Sequence, residues 1–329
     1  MNLDGIEMVK SYLSKIKNKI KSSGVNLNEY EVFYRGENKC YKDTTPSIFR
    51  SGIENEHKIF RELELRYPSI FDNAKTTVDK LAIMQHYRLP TRLLDFTTNP
   101  LLALYMAIDN YVAGDFSPTV KIVFVNKEKI KYYDSDTVSV LANFAKIESN
   151  LKVNIYGLAD NRGKIEKAKS NIYMAGYDYL KNYDKLKKLD KSLKYDAGKI
   201  ICEDNPDVHY LLHEIKAEKP YFKDVIWAEH FDKTVIFVKP KHNTQRVINQ
   251  AGLFALFGIS KGEKRPFSLE DCREDEHFVI KSLKLNHKNI SDVESTKKAL
   301  AILGITHDKV YPEIEHAAEY IKGLFLKSQ

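Results

Sequence analysis

No stretch of this chain approaches the roughly 20 consecutive apolar residues needed to cross a bilayer, so a membrane-spanning helix is not expected. Cysteine is scarce: Cys40, Cys202 and Cys272 are odd in number, far apart and without a CxxC pair. That excludes a disulfide scaffold and a structural zinc site, and suits the reducing cytoplasm. The opening "MNLDGIEMVKSYLSKIKNKI" lacks the apolar core and small-residue cleavage site of a secretory signal. The Rossmann GxGxxG, the P-loop GxxxxGK[ST], the zincin HExxH and the nucleophile elbow GxSxG are all absent, and with them the usual signatures of those chemistries. Internal repeats and low-complexity segments are absent too. Of the 10 histidines, His209 and His213 alone stand one helical turn apart, and no third ligand accompanies them. No metal centre is expected.

What is present is material for a core. The chain has 329 residues, 43% hydrophobic, with 16 Phe and 20 Tyr. Charged residues make up 29%, with both signs interspersed as on a water-facing surface. A formal charge of +7 is compatible with a nucleic-acid or phosphate-bearing partner without demanding one.

The spacing of Ile6, Val9, Leu13, Ile16 and Ile20 predicts an amphipathic helix over 5–21. "EVFYRG" reads as a strand ending at Gly36, followed by helices at 55–67, closed by Pro68, and at 77–87. Asn99–Pro100 is a helix start, because Asn caps free backbone N–H groups and proline suits the first helical position. The apolar "LLALYMAIDNYV" that follows predicts a buried helix, and "TVKIVFVN", 119–126, a strand. A helix is expected at 137–149. The segment around 150–205, rich in Lys and Tyr, reads as a mostly helical insert whose lysines form a solvated face. Beyond it come a helix from "PDVHYLLHEIKAEKP", a strand at 234–240, a strand in the second half of 246–258, one at "HFVIKSLKL", and helices at 292–303 and 312–326. Helices of unequal length between strands predict an α+β fold, a mixed or antiparallel sheet flanked by helices. The expected organisation is an N-terminal helix over 1–27 and a single domain over 28–329.

Two places concentrate polar groups inside apolar sequence. In "VFYRGE", Arg35 ends a core strand beside Gly36, where the backbone can come close to a ligand. A buried guanidinium must meet a carboxylate, a phosphate or carbonyls. An internal ion pair with Asp95 or Glu37 is the alternative use for it. The run "MQHYRLPTRLLDFTTNP", 84–100, holds Gln85, His86, Arg88, Arg92 and Asp95 between two hydrophobic segments. Asp95 has a choice of Arg92, Arg35 or backbone N–H groups as partner. Thr97, Thr98 and Asn99 supply capping oxygens. Asn249 and Gln250 make another polar step, at the start of a strand.

The segments "VFYRGE", "MQHYRLPTRLLDFTTNPLLALYMA" and "FVKPKHNTQRVINQAGLFAL" resemble the FRG domain family of bacteria and phages, from about residue 28 to about 325. This chain reads Tyr-Arg-Gly where the family is named for Phe-Arg-Gly, and has Arg88 where the family pattern implies glycine. The order of motifs is in turn similar to that of ADP-ribosyltransferases. That similarity implies an NAD site, with Tyr34, Arg35 and Gly36 on an early strand holding the dinucleotide. Thr91, Arg92 or Thr97 would follow before the buried helix, and Gln250 would close the site from a later strand. His86 and Asp95 complete the implied catalytic set. Glutamine can orient a hydroxyl but does not stabilise positive charge as a carboxylate does.

Three functions follow from these residues. The first is a cytoplasmic ADP-ribosyltransferase-like toxin or anti-phage effector acting on a protein or nucleic-acid acceptor. The second is a nucleotide- or nucleic-acid-binding module without turnover. The third is another hydrolase or nuclease, with Asp95, His86 and Glu37 as acid and base.

Overall fold

The structure is a computed structural model. It describes residues 3–41, 43–50, 55–109, 111, 116–148, 152, 206–222, 234–241, 245–259, 268–272, 277–287 and 289–312. In chain order these form α1 (Leu3–Lys21), β1 (Tyr30–Glu37), α2 (Ser47–Arg50), α3 (Glu56–Arg66), α4 (Thr77–His86) and β2 (Leu93–Thr97). Next come α5 (Pro100–Ile108), β3 (Thr119–Asn126), β4 (Lys131–Tyr132), α6 (Asp136–Asn143), α7 (Pro206–Glu218) and β5 (Val235–Lys239). The chain continues through α8 (Gln245–Asn249), β6 (Gly252–Phe257), β7 (Phe278–Lys284), α9 (Ile290–Ile302) and α10 (His307–Val310). The insert expected around 150–205 lies outside the described residues apart from Lys152, as does the helix expected at 312–326 apart from Pro312.

The strands make one seven-stranded sheet in the order β4-β5-β6-β2-β1-β3-β7. Every pair is antiparallel except β4 with β5, so the sheet is mixed and the fold is α+β. The central pair is the thinnest. β1 and β2 share one bridge, Tyr34 with Thr97, whereas β1 and β3 pair residue by residue from Tyr30–Asn126 to Glu37–Thr119.

Side chains alternate along a strand, and the sheet separates three apolar clusters. On one face Tyr34 packs with Leu102, Ala103 and Ala107 of α5 and with Val9, Tyr12 and Ile16 of α1. On the same face Leu93, Phe254 and Leu256 pack with Leu81 and Met84 of α4 and with α6 and α7. Phe33, Leu94, Phe96, Val123 and Phe257 fill the opposite face. Helix α5 lies so close to β1 that a Cβ on Gly36 would stand 2.1 Å from the Ala103 carbonyl oxygen. The glycine that the sequence offers to a ligand is therefore spent on helix packing.

Candidate functional site

Helix α4 positions the first wall. It starts at a capping box, with the Thr76 hydroxyl accepting from the Asp79 N–H and the Asp79 carboxylate accepting from the Thr76 N–H. It ends in a Schellman motif: Leu89 N–H donates to the Met84 carbonyl and Arg88 N–H to the Gln85 carbonyl, each at 3.0 Å. The left-handed position of that motif is Arg88, with φ of 62°. The glycine implied there by the family pattern has a physical reason, and this chain holds an arginine in the same conformation.

The chain then doubles back into β2, bringing Gln85 against residues 91–95. The Thr91 hydroxyl donates to Gln85 Oε1 at 2.9 Å, and Gln85 Nε2 donates to Asp95 Oδ2 at 2.7 Å. Gln85, His86 and Asp95 face Val247, Gln250 and Gly252 across a cavity of about 20 Å³. That is room for one water molecule with several polar neighbours, and too little for a nucleotide. Gln250 is buried; its side chain donates to the Val310 carbonyl at 3.0 Å, and its own carbonyl accepts from the Thr97 hydroxyl at 2.6 Å. Ala251, the residue that turns α8 into β6, has φ of 45°.

Arg35 belongs to the other face of the sheet, with Phe33 and Glu37. Just beyond the Tyr34–Thr97 bridge its Nη1 donates to the Asp95 carbonyl at 3.0 Å, while its Nε donates to Glu37 Oε1 at 3.2 Å. The ion pair formed is therefore Arg35–Glu37. Asp95 is gripped from both sides, its backbone by Arg35 and its carboxylate by Gln85. Its side chain and that of Arg35 nonetheless point to opposite faces.

Residues 30–115 match the family model of the FRG domain. The chain carries an FRG domain over those residues. No curated protein and no solved structure matches the chain. The FRG match spans β1, α4, β2 and α5, and so includes Arg35, Gln85, His86 and Asp95. The Gln250 wall lies outside it, although the resemblance read from the sequence extends to about residue 325.

Within the FRG segment the two arginines of "YRG" and "PTRLLD" diverge in role. Arg92 does not meet Asp95. It is 1% exposed, donates Nε to Glu56 Oε1 at 2.9 Å, binds Glu56 Oε2 through Nη2, and gives Nη1 to the carbonyls of Phe257 and Gly258. Lys152 joins the same carboxylate at 2.8 Å. Burial works against the Glu56 anion, but Arg92 and Lys152 outweigh it and hold the carboxyl down at about 2. Arg92 thus welds α3 to the end of β6. Thr91 is wholly buried, with its N–H on Ser47 Oγ at 3.2 Å. Tyr34 faces α5, and burial raises its phenol pKa. Asn99 caps α5 by accepting from Leu101 N–H, and the Thr97 hydroxyl accepts from Asn99 N–H at 3.0 Å.

A second polar cluster, on the Arg35 face, escapes a reading by motif. Glu37 of β1, Lys121 of β3 and Glu270 gather there, with Lys121 Nζ on Glu270 Oε1 at 2.9 Å. A lysine inside the apolar strand "TVKIVFVN" is the one sequence signal for it. Among the described residues no group of three or more side chains is arranged to hold a metal, and no helix is long and apolar enough to cross a membrane. His209 and His213 are exposed on α7.

Proposed function

We propose that the FRG domain forms a nucleotide site of ADP-ribosyltransferase type, with NAD as the substrate. The observation that carries this reading is topological. The three segments "YRG", "PTRLLD" and "NQAG" lead into or lie on β1, β2 and β6, which are consecutive neighbours at the middle of the sheet. Where β1 and β2 part beyond their single bridge, Arg35 reaches across to Asp95.

The Arg35 side chain is 19% exposed, and its Nη2 has no hydrogen-bond partner among the described residues, which leaves a guanidinium edge for a pyrophosphate. NAD supplies the bond between nicotinamide and ribose. The Asp95 carboxylate, fixed by Gln85, stands on the opposite face of the sheet from that guanidinium edge. For it to offset positive charge developing at the ribose, a task the Gln250 amide does not perform, the ligand must enter where β1 and β2 part. His86 takes the proton of the attacking hydroxyl or water. The cavity beside Asp95 is of a size to hold that one water. The FRG resemblance extends the proposal to a toxin or phage-defence effector that modifies a protein or nucleic-acid acceptor.

The hydrogen bond from Gln250 to Val310 favours a second reading, nucleotide binding without turnover, because it gives the late-strand residue a structural task. Incubation with adenylate-labelled NAD and cell extract separates the two. Label transfer by the wild type, lost in Arg35→Ala and Asp95→Asn proteins of unchanged fold, is expected for the enzyme. Label transfer unaffected by both substitutions, or none at all, removes it.

A further inference from the structure

We propose that Glu37 is the hydroxyl-binding group beside Arg35, and that it makes the site selective for a phosphorylated ribose over a simple anion. This rests on the nucleotide-binding part of the function proposed above and not on turnover. Arg35 and Glu37 are two residues apart on β1, hence on one face of the sheet. The Glu37 side chain is 3% exposed. Its Oε1 accepts from Arg35, but its Oε2 is buried with no hydrogen-bond partner. A buried carboxylate oxygen left unpaired is costly and uncommon in folded proteins.

The neighbours do not remedy this, although they are close enough to act on Glu37 electrostatically. Lys121 Nζ is given to Glu270 Oε1 at 2.9 Å and to the Tyr41 carbonyl at 3.4 Å. Thr44 gives its N–H to Glu270 Oε2 at 2.6 Å and its hydroxyl to Glu270 Oε1 at 2.8 Å. Of two carboxylates in one cluster, then, Glu270 is saturated and Glu37 is left half-satisfied. The consequence shows in their titration. Burial raises the Glu37 carboxyl, whereas at Glu270 the bonds from Thr44 and Lys121 outweigh burial and lower it.

Two cations, Arg35 and Lys121, balance two carboxylates, so Glu37 has no need of a further cation. What it lacks is one neutral donor at Oε2. A hydroxyl meets that need, and the adjacent open edge of Arg35 meets a phosphate. A sugar phosphate carries both groups on one small framework, which inorganic phosphate or pyrophosphate does not. Because Oε2 is covered, the ligand reaches it only as the surrounding segment shifts.

The test removes the hydroxyl from the ligand and the carboxylate charge from the protein in turn, by titrating wild type and Glu37→Gln with ADP and with 2′,3′-dideoxy-ADP. A hydrogen bond to a charged group corresponds to about tenfold or more in affinity. Wild type is therefore expected to bind ADP about tenfold more tightly than the dideoxy compound. Glu37→Gln is expected to discriminate less than wild type, because its amide makes only a neutral hydrogen bond to the hydroxyl. Equal binding of both ligands by wild type, or the same discrimination in both proteins, overturns the proposal, as does failure of wild type to bind either. Should Glu37→Gln not fold, the wild-type comparison decides alone. Discrimination at Glu37 in a protein that leaves NAD intact removes the transferase and keeps the hydroxyl site.

Discussion

Gln85 donates its side-chain amide to the Asp95 carboxylate at 2.7 Å, across the turn that ends α4, and accepts from Thr91 with its other end. One side chain thus fixes a helix terminus, a loop and a central strand. Gln85→Leu strands both partners and is expected to lose about 1–3 kcal/mol in chemical denaturation. Gln85→Glu sets a second carboxylate against Asp95. Like charge raises the folded pKa of the pair, so its destabilisation grows as pH rises through that value. It shrinks in acid, where the introduced carboxyl is protonated and can donate to Asp95. An unfolding curve that falls equally at all pH values contradicts this pairing.

Arg88 occupies a left-handed position, φ 62°, that glycine adopts without steric cost. Arg88→Gly is expected to stabilise the fold by roughly 0.5–1 kcal/mol, and Arg88→Val to destabilise it. Thermal unfolding of the two variants gives opposite shifts if the Schellman turn is formed as described.

Gly36 separates packing from ligand binding. Gly36→Ala drives a methyl to 2.1 Å from the Ala103 carbonyl and 2.6 Å from the Ala107 nitrogen, both backbone atoms of α5. A loss of about 3 kcal/mol or more is expected, since neither neighbour is a side chain that can swing away. A variant of unchanged stability with weakened nucleotide binding returns Gly36 to the ligand.

Glu56 gives the fold an acid limit. Its folded pKa, about 2, lies below the ordinary 4.5. Its contribution is therefore fully present above about pH 4.5 and is lost as pH falls toward 2. Arg92→Met leaves that carboxylate without its bidentate partner and is expected to cost about 3–5 kcal/mol at neutral pH. Stability of Glu56→Gln, plotted against pH, should be flatter through that window than wild type.

Much of the fold is legible in the sequence where one period dominates. Strand β3, "TVKIVFVN", runs from Thr119 to Asn126 as its β-branched residues predict, and the Asn99–Pro100 start of α5 is a cap in fact. Strand β2 is not legible. Buried on both faces, Leu93-Leu94-Asp95-Phe96-Thr97 shows no alternation, and it reads instead as part of a polar connection. The site is legible as a list of residues and not as an arrangement. A strand period assigns Arg35 to one face and Asp95 to the other only once the β1–β2 register is known. Arg92 looks equivalent to Arg35 in sequence, but its partner Glu56 lies 36 residues earlier with no signature to link them. Lys121 of β3 meets Glu270 across 149 residues, a separation over which no local pattern operates.

Nicotinamide release from NAD by the purified protein, followed with time, tests the proposed transferase most directly. Release by wild type, slowed at least tenfold in Arg35→Ala and in Asp95→Asn while both variants keep the wild-type fold, is the predicted result. Wild-type protein that releases no nicotinamide with or without cell extract, or release that both variants sustain at the wild-type rate, contradicts it.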